Sequence, residues 1–147
     1  MGKYFSIAEL CETNTGINNT PNKQQTKNLE DLIKVLDDIR EEWTELCKIN
    51  NWGSAAIIVN SGFRSFKVNK AVGGSKTSEH CLGFAADIEP RNQRNLEFWN
   101  FIVDYVKTKN IGFSQLINEK PRAGIPSWIH LSINGKNGQR KQIFTLV

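Results

Sequence analysis

The chain has only two histidines, and each stands where an imidazole is chemically useful. His80 opens the run His80-Cys81-Leu82-Gly83-Phe84-Ala85-Ala86-Asp87, whose small residues allow close backbone packing while Asp87 is presented from a segment that reads as a buried strand. A buried carboxylate needs a partner, because an unpaired charge there is costly enough to be neutralised. Zinc is a suitable one: it takes imidazole and carboxylate ligands, and catalytic sites keep three protein ligands with one position for water. His130 lies in Trp128-Ile129-His130-Leu131-Ser132-Ile133. Strand alternation turns Ile129, Leu131 and Ile133 one way and Trp128, His130 and Ser132 the other. His80, Asp87 and His130 would complete a three-ligand site. Taken singly, each histidine is more often structural than ligating, and a His-x6-Asp spacing is weak by itself.

The longer string is more specific. Ser78-Glu79-His80-Cys81-Leu82-Gly83-Phe84-Ala85-Ala86-Asp87 matches every fixed position of an SxHxxGxAxD signature. On that string the chain resembles the zinc D-Ala-D-Ala carboxypeptidase family, which includes phage endolysin peptidases. Other ordered segments are similar to that family too: Tyr4 to Leu10, Ser61-Gly62-Phe63-Arg64-Ser65, Val68 to Ser75, Gln115-Leu116-Ile117 and Trp128 to Ser132. The resemblance implies zinc held by His80, Asp87 and His130. It also implies that Arg64 engages the substrate carbonyl or carboxylate, where a guanidinium fork can brace a developing oxyanion. Ser78, Gln115 and Trp128 are expected to contact substrate, which the resemblance makes a peptidoglycan stem peptide.

The general base departs from the family pattern. Many members carry an acid three positions before the second histidine, and here that position is Ser127. Glu119, following Gln115-Leu116-Ile117, is the nearest preceding carboxylate and is proposed as base, with Glu79 next in line. The displaced acid also leaves open a zinc-stabilised cell-wall-binding domain without turnover, as in folds related to the hedgehog signalling domain.

These residues need elements to position them. Leu29, Leu32, Ile33, Leu36, Ile39, Trp43, Leu46 and Cys47 recur at helical spacing and predict a helix over 24–48. Leu96, Trp99, Ile102, Val103 and Val106 predict a second over 93–108. Both are expected to cover one face of a sheet. Strands are predicted over 55–60, 84–89, 112–118, 128–133 and 141–146. Asn134-Gly135-Lys136-Asn137-Gly138 tolerates positive φ and predicts an antiparallel hairpin of the last two strands. The stretch 13–27 reads as a loop. The fold class is α+β, with a small, mostly antiparallel sheet covered by helices and a hedgehog/DD-peptidase-like architecture.

Composition agrees with one domain over the 147 residues, with 39% hydrophobic content and a net charge of +4 that suits an anionic wall. The basic residues are scattered without interleaved aromatics, which argues against a nucleic-acid module. Neither a signal peptide nor a membrane-spanning run is legible. The expectation is a monomer made in the cytoplasm without membrane insertion and delivered to the wall by another component, as in phage lysis. Cys11, Cys47 and Cys81 form no CxxC pair, so no disulfide framework is expected. Cys81 is expected to be a buried small hydrophobe facing away from the metal.

Overall fold

The computed structural model describes residues 2–147. In chain order the elements are α1 (Ile7–Leu10), α2 (Lys23–Asn50), β1 (Ile57–Ser61), α3 (Phe66–Ala71), a 3-10 turn (Glu79–Leu82), β2 (Ala85–Pro90), α4 (Asn95–Thr108), β3 (Gln115–Glu119), β4 (Trp128–Ser132) and β5 (Gln142–Leu146). This is an α+β architecture.

Helix α2 begins with a capping box, in which Asn22 accepts from the Gln25 backbone and the Gln25 side chain accepts from the Asn22 backbone. It ends where Asn51 turns left-handed at φ 56°. Its predicted stripe is buried from Leu29 to Cys47 apart from Leu46, which is half-buried. Helix α4 starts at Asn95, two residues later than expected, because Gln93 has φ 63°, outside helical space. Its buried stripe is also rotated. Phe98, Ile102, Tyr105 and Val106 face the core, whereas Leu96 is exposed and Trp99 and Val103 are only half-buried. Trp43 of α2 causes this by drawing in Phe98 (centroids 4.9 Å apart) and Phe101 (5.4 Å).

The five strands form one sheet in the order β1-β2-β4-β3-β5. All neighbours are antiparallel except β3 and β5, which run parallel. The expected hairpin of the last two strands does not form: β2 and β3 already occupy both edges of β4, so β5 takes the free edge of β3. Ala86, Ile88, Leu116, Ile129 and Leu131 join the helices in the core.

The opposite face presents three rows across the strands. Ala85, Ser132, Gln115 and Gln142 form one; Asp87, His130, Ile117 and Phe144 the next; Trp128, Glu119 and Leu146 the third. Same-face neighbours along a strand lie about 6.7 Å apart, so a chemical group on one row is one such step from its counterpart on the next.

Candidate metal centre

His80 sits on the 3-10 turn, not at the end of an extended segment. Its backbone N–H donates to the Ser78 hydroxyl (3.2 Å), and Gly83 at φ 85° turns the chain into β2. Helix α2 secures this turn from below: Gln25 donates to the Cys81 carbonyl (3.1 Å) and Asn28 to the Leu82 carbonyl (2.8 Å). Asp87 and His130 are paired directly across β2 and β4. The three side chains offer ligand atoms that all lie within 4.8 Å of one another.

The donor chemistry fits a cation. His80 Nδ1 lies 2.7 Å from the Gly62 carbonyl, which can only accept, so that nitrogen carries the proton. Burial lowers the His80 pKa more than its neighbours raise it, so the ring is neutral. Its Nε2 lone pair then faces Asp87 Oδ1 at 3.3 Å, two acceptors aimed at each other. His130 Nδ1 approaches the same oxygen at 3.0 Å. A cation between these three atoms relieves the conflict, and zinc's preference for nitrogen and carboxylate ligands suits the set. Burial pushes the Asp87 carboxyl up, but the interactions with His130 and His80 outweigh it and hold it well below the usual carboxylate range. The Gly62–His80 contact requires the glycine, since a Cβ there would run into the Leu10 carbonyl.

The three ligands line a cleft of about 580 Å³ together with Arg64, Ser78, Gln115 and Glu119. Arg64 is fixed through its backbone, its N–H donating to the His80 carbonyl (3.2 Å), while its Nε is buried with no hydrogen-bond partner among the described residues. Asn19 lies in the loop before α2, a loop that ends at Asn22 and is shorter than the expected 13–27, and it anchors the segment around Arg64: its amide donates to the carbonyls of Cys11 (2.9 Å) and Phe63 (2.8 Å) and accepts from the Ser65 N–H (2.6 Å). Glu119 is on the row next to the metal ligands, and its pKa is raised first by burial and then by the charge of Asp87. Trp128 pairs with Glu119 in the sheet but does not line the cleft. Cys81 lies on the 3-10 turn, where it is half-buried instead of fully buried, and burial raises its thiol pKa.

Glu79 is buried, accepting from the hydroxyls of Ser114 and Ser132 (2.6 Å for the latter). The orientation of the Gln115 amide is assigned from its neighbours: turned so that its nitrogen faces Glu79 (3.0 Å), its oxygen faces Arg140 (3.3 Å). Lys136 and Arg140, from the segment linking β4 to β5, also line the cleft. Sequence reading missed both. Their only signal was a cluster of Gly and basic residues, which reads equally well as a turn.

A family model described as peptidase M15 matches residues 3–120. The chain therefore belongs to the peptidase M15 family, the zinc D-Ala-D-Ala carboxypeptidase family that its signature resembles. The match takes in Arg64, His80, Asp87 and Glu119 and stops before His130. None of the curated proteins matches the chain.

Proposed function

We propose that the chain is a zinc metallopeptidase hydrolysing a peptide bond in peptidoglycan stem peptides, as a D-Ala-D-Ala carboxypeptidase or an endolysin-type endopeptidase. The observation that carries this reading is the convergence of His80, Asp87 and His130 in a cleft that also holds Arg64 and Glu119, in a chain of the M15 family. Those three residues would hold the metal. Bound there, zinc supplies Lewis acidity, polarising the scissile carbonyl and lowering the pKa of water.

The chain's own residues do the rest. Glu119, whose pKa is raised by burial and then by the charge of Asp87, takes a proton from the attacking water. It then returns that proton to the leaving amine. Arg64, with an unpartnered Nε, donates to the oxyanion that forms on the carbonyl oxygen. The non-hydrolytic binding domain loses its main support, because the acid missing at Ser127 has a counterpart in the cleft at Glu119. Mass spectrometry of muropeptides after incubation with zinc-loaded protein is the test. New products would identify the bond; binding to peptidoglycan with no new product would favour the binding-domain reading.

A further inference from the structure

We propose that Arg140, supported by Lys136, forms a carboxylate-binding subsite that selects peptides carrying an anionic group on the side of the scissile bond away from Glu119. The assignment rests on the peptidase reading of the cleft and goes beyond it, since both cations lie outside the stretch that the family model matches.

Three cations line the cleft, Arg64, Lys136 and Arg140, and among the described residues none has a carboxylate within salt-bridge distance. Elsewhere Lys3, Lys27, Arg94 and Lys109 each have one. Unpaired cations gathered in a concave site favour an anionic ligand. Arg140 is also positioned. Glu79, buried and held by two serine hydroxyls, lies within reach of the Gln115 amide, and with that amide turned to donate to Glu79 its oxygen faces Arg140. This chain uses a single guanidinium nitrogen, and the remaining N–H groups can form the fork that carboxylates prefer.

The segment bearing Arg140 is tied at both ends. Gly135 passes so close over Glu79 that a Cβ would collide with its carboxylate. Lys141 N–H donates to the Phe113 carbonyl (3.0 Å) and Gln142 N–H to the Ser114 carbonyl (2.9 Å). The Gln115 row lies on one side of the metal-ligand row and Glu119 on the other. A carboxylate held by Arg140 therefore falls within about one or two residues of the scissile carbonyl, at roughly 3.3–3.6 Å of chain per residue.

That carboxylate can be a C-terminus or an acidic side chain, and matched peptides separate the two. Calorimetry would use zinc-loaded protein in a Glu119→Gln background, which prevents consumption of the peptide. One pair is acetyl-Ala-D-Ala and its C-terminal amide; the other is acetyl-Ala-D-Glu-amide and acetyl-Ala-D-Gln-amide. At least one acid is expected to bind about 10- to 100-fold more tightly than its neutral twin, as a charge-assisted pair allows. Arg140→Ala should reduce that ratio to within about twofold, and Arg140→Lys should restore part of it. Equal binding of acid and neutral peptide in both pairs, or an undiminished ratio in Arg140→Ala, would overturn the assignment. Failure of the wild-type chain to cleave any wall peptide while the ratio holds would count against the peptidase reading alone.

Discussion

Ser127 and Glu119 meet at the loop end of the β3–β4 hairpin, the Ser127 N–H donating to the Glu119 carbonyl (3.1 Å). On the proposed reading, the acid that many family members carry three positions before the second histidine would be supplied here from the adjacent strand β3. Glu119→Gln is expected to keep its zinc and its melting temperature while losing about 10²- to 10⁴-fold in turnover. Burial and Asp87 raise the Glu119 pKa, so the base is protonated at a higher pH than an ordinary glutamate. The part of the acid limb that belongs to the base should accordingly be absent from the residual activity of the Gln variant, leaving only the limb at which protons displace the metal. Wild-type turnover in Glu119→Gln would move the role elsewhere; Glu79 is a poor substitute, because its oxygens already accept from Ser114 and Ser132. Arg64→Lys should bind zinc normally and lose about 10²- to 10³-fold in turnover, since an ammonium lacks the guanidinium fork. An unchanged rate would remove Arg64 from the chemistry.

At the scale of elements, what was legible in the sequence depended on whether the signal was local. The α2 stripe runs along one element, and its period reveals it directly. His80, Asp87 and His130 stood out because histidine is scarce and the signature string is dense. The hairpin expectation failed on a non-local fact. Gly138 and Lys141 do adopt positive φ (78° and 53°), but no turn chemistry records that both edges of β4 are already taken. Asn19 was equally hidden, one polar residue in a polar loop. Two of its three hydrogen bonds tie that loop to the Ser61–Ser65 segment and the third reaches Cys11, so the loop is part of the scaffold for Arg64. Asn19→Ala would leave the carbonyls of Cys11 and Phe63 and the N–H of Ser65 short of partners, costing about 1–3 kcal/mol or more. Chemical denaturation should show that loss, with turnover per folded molecule falling and zinc stoichiometry retained. Full turnover in a destabilised variant would mean that Arg64 is held by its backbone bond to His80 alone.

In the whole molecule, the sheet separates two tasks. One face buries Ala86, Ile88, Leu116, Ile129 and Leu131 against α2 and α4, and the other carries the ligands and cleft. The core therefore does not depend on the metal for its apolar contacts, and the metal-free chain should remain folded, unlike small domains that zinc alone organises. The ligands nevertheless come from the 3-10 turn, β2 and β4, and they converge only in the folded state. A metal that binds only the folded state adds about 2.7 kcal/mol at a free concentration 100 times Kd. For a chain of this size that corresponds to roughly 5–10 °C in melting temperature. Chelation should thus lower the wild-type transition by that amount without changing its far-ultraviolet circular dichroism, and added zinc should restore it. His80→Ala should melt low and ignore zinc, both because a ligand is gone and because the Gly62 carbonyl loses its donor. Acidification should mimic chelation, since protons compete for both imidazoles and the carboxylate. A wild-type transition indifferent to zinc and chelator would mean that the three side chains pair only with one another, and the metal centre would fall with it.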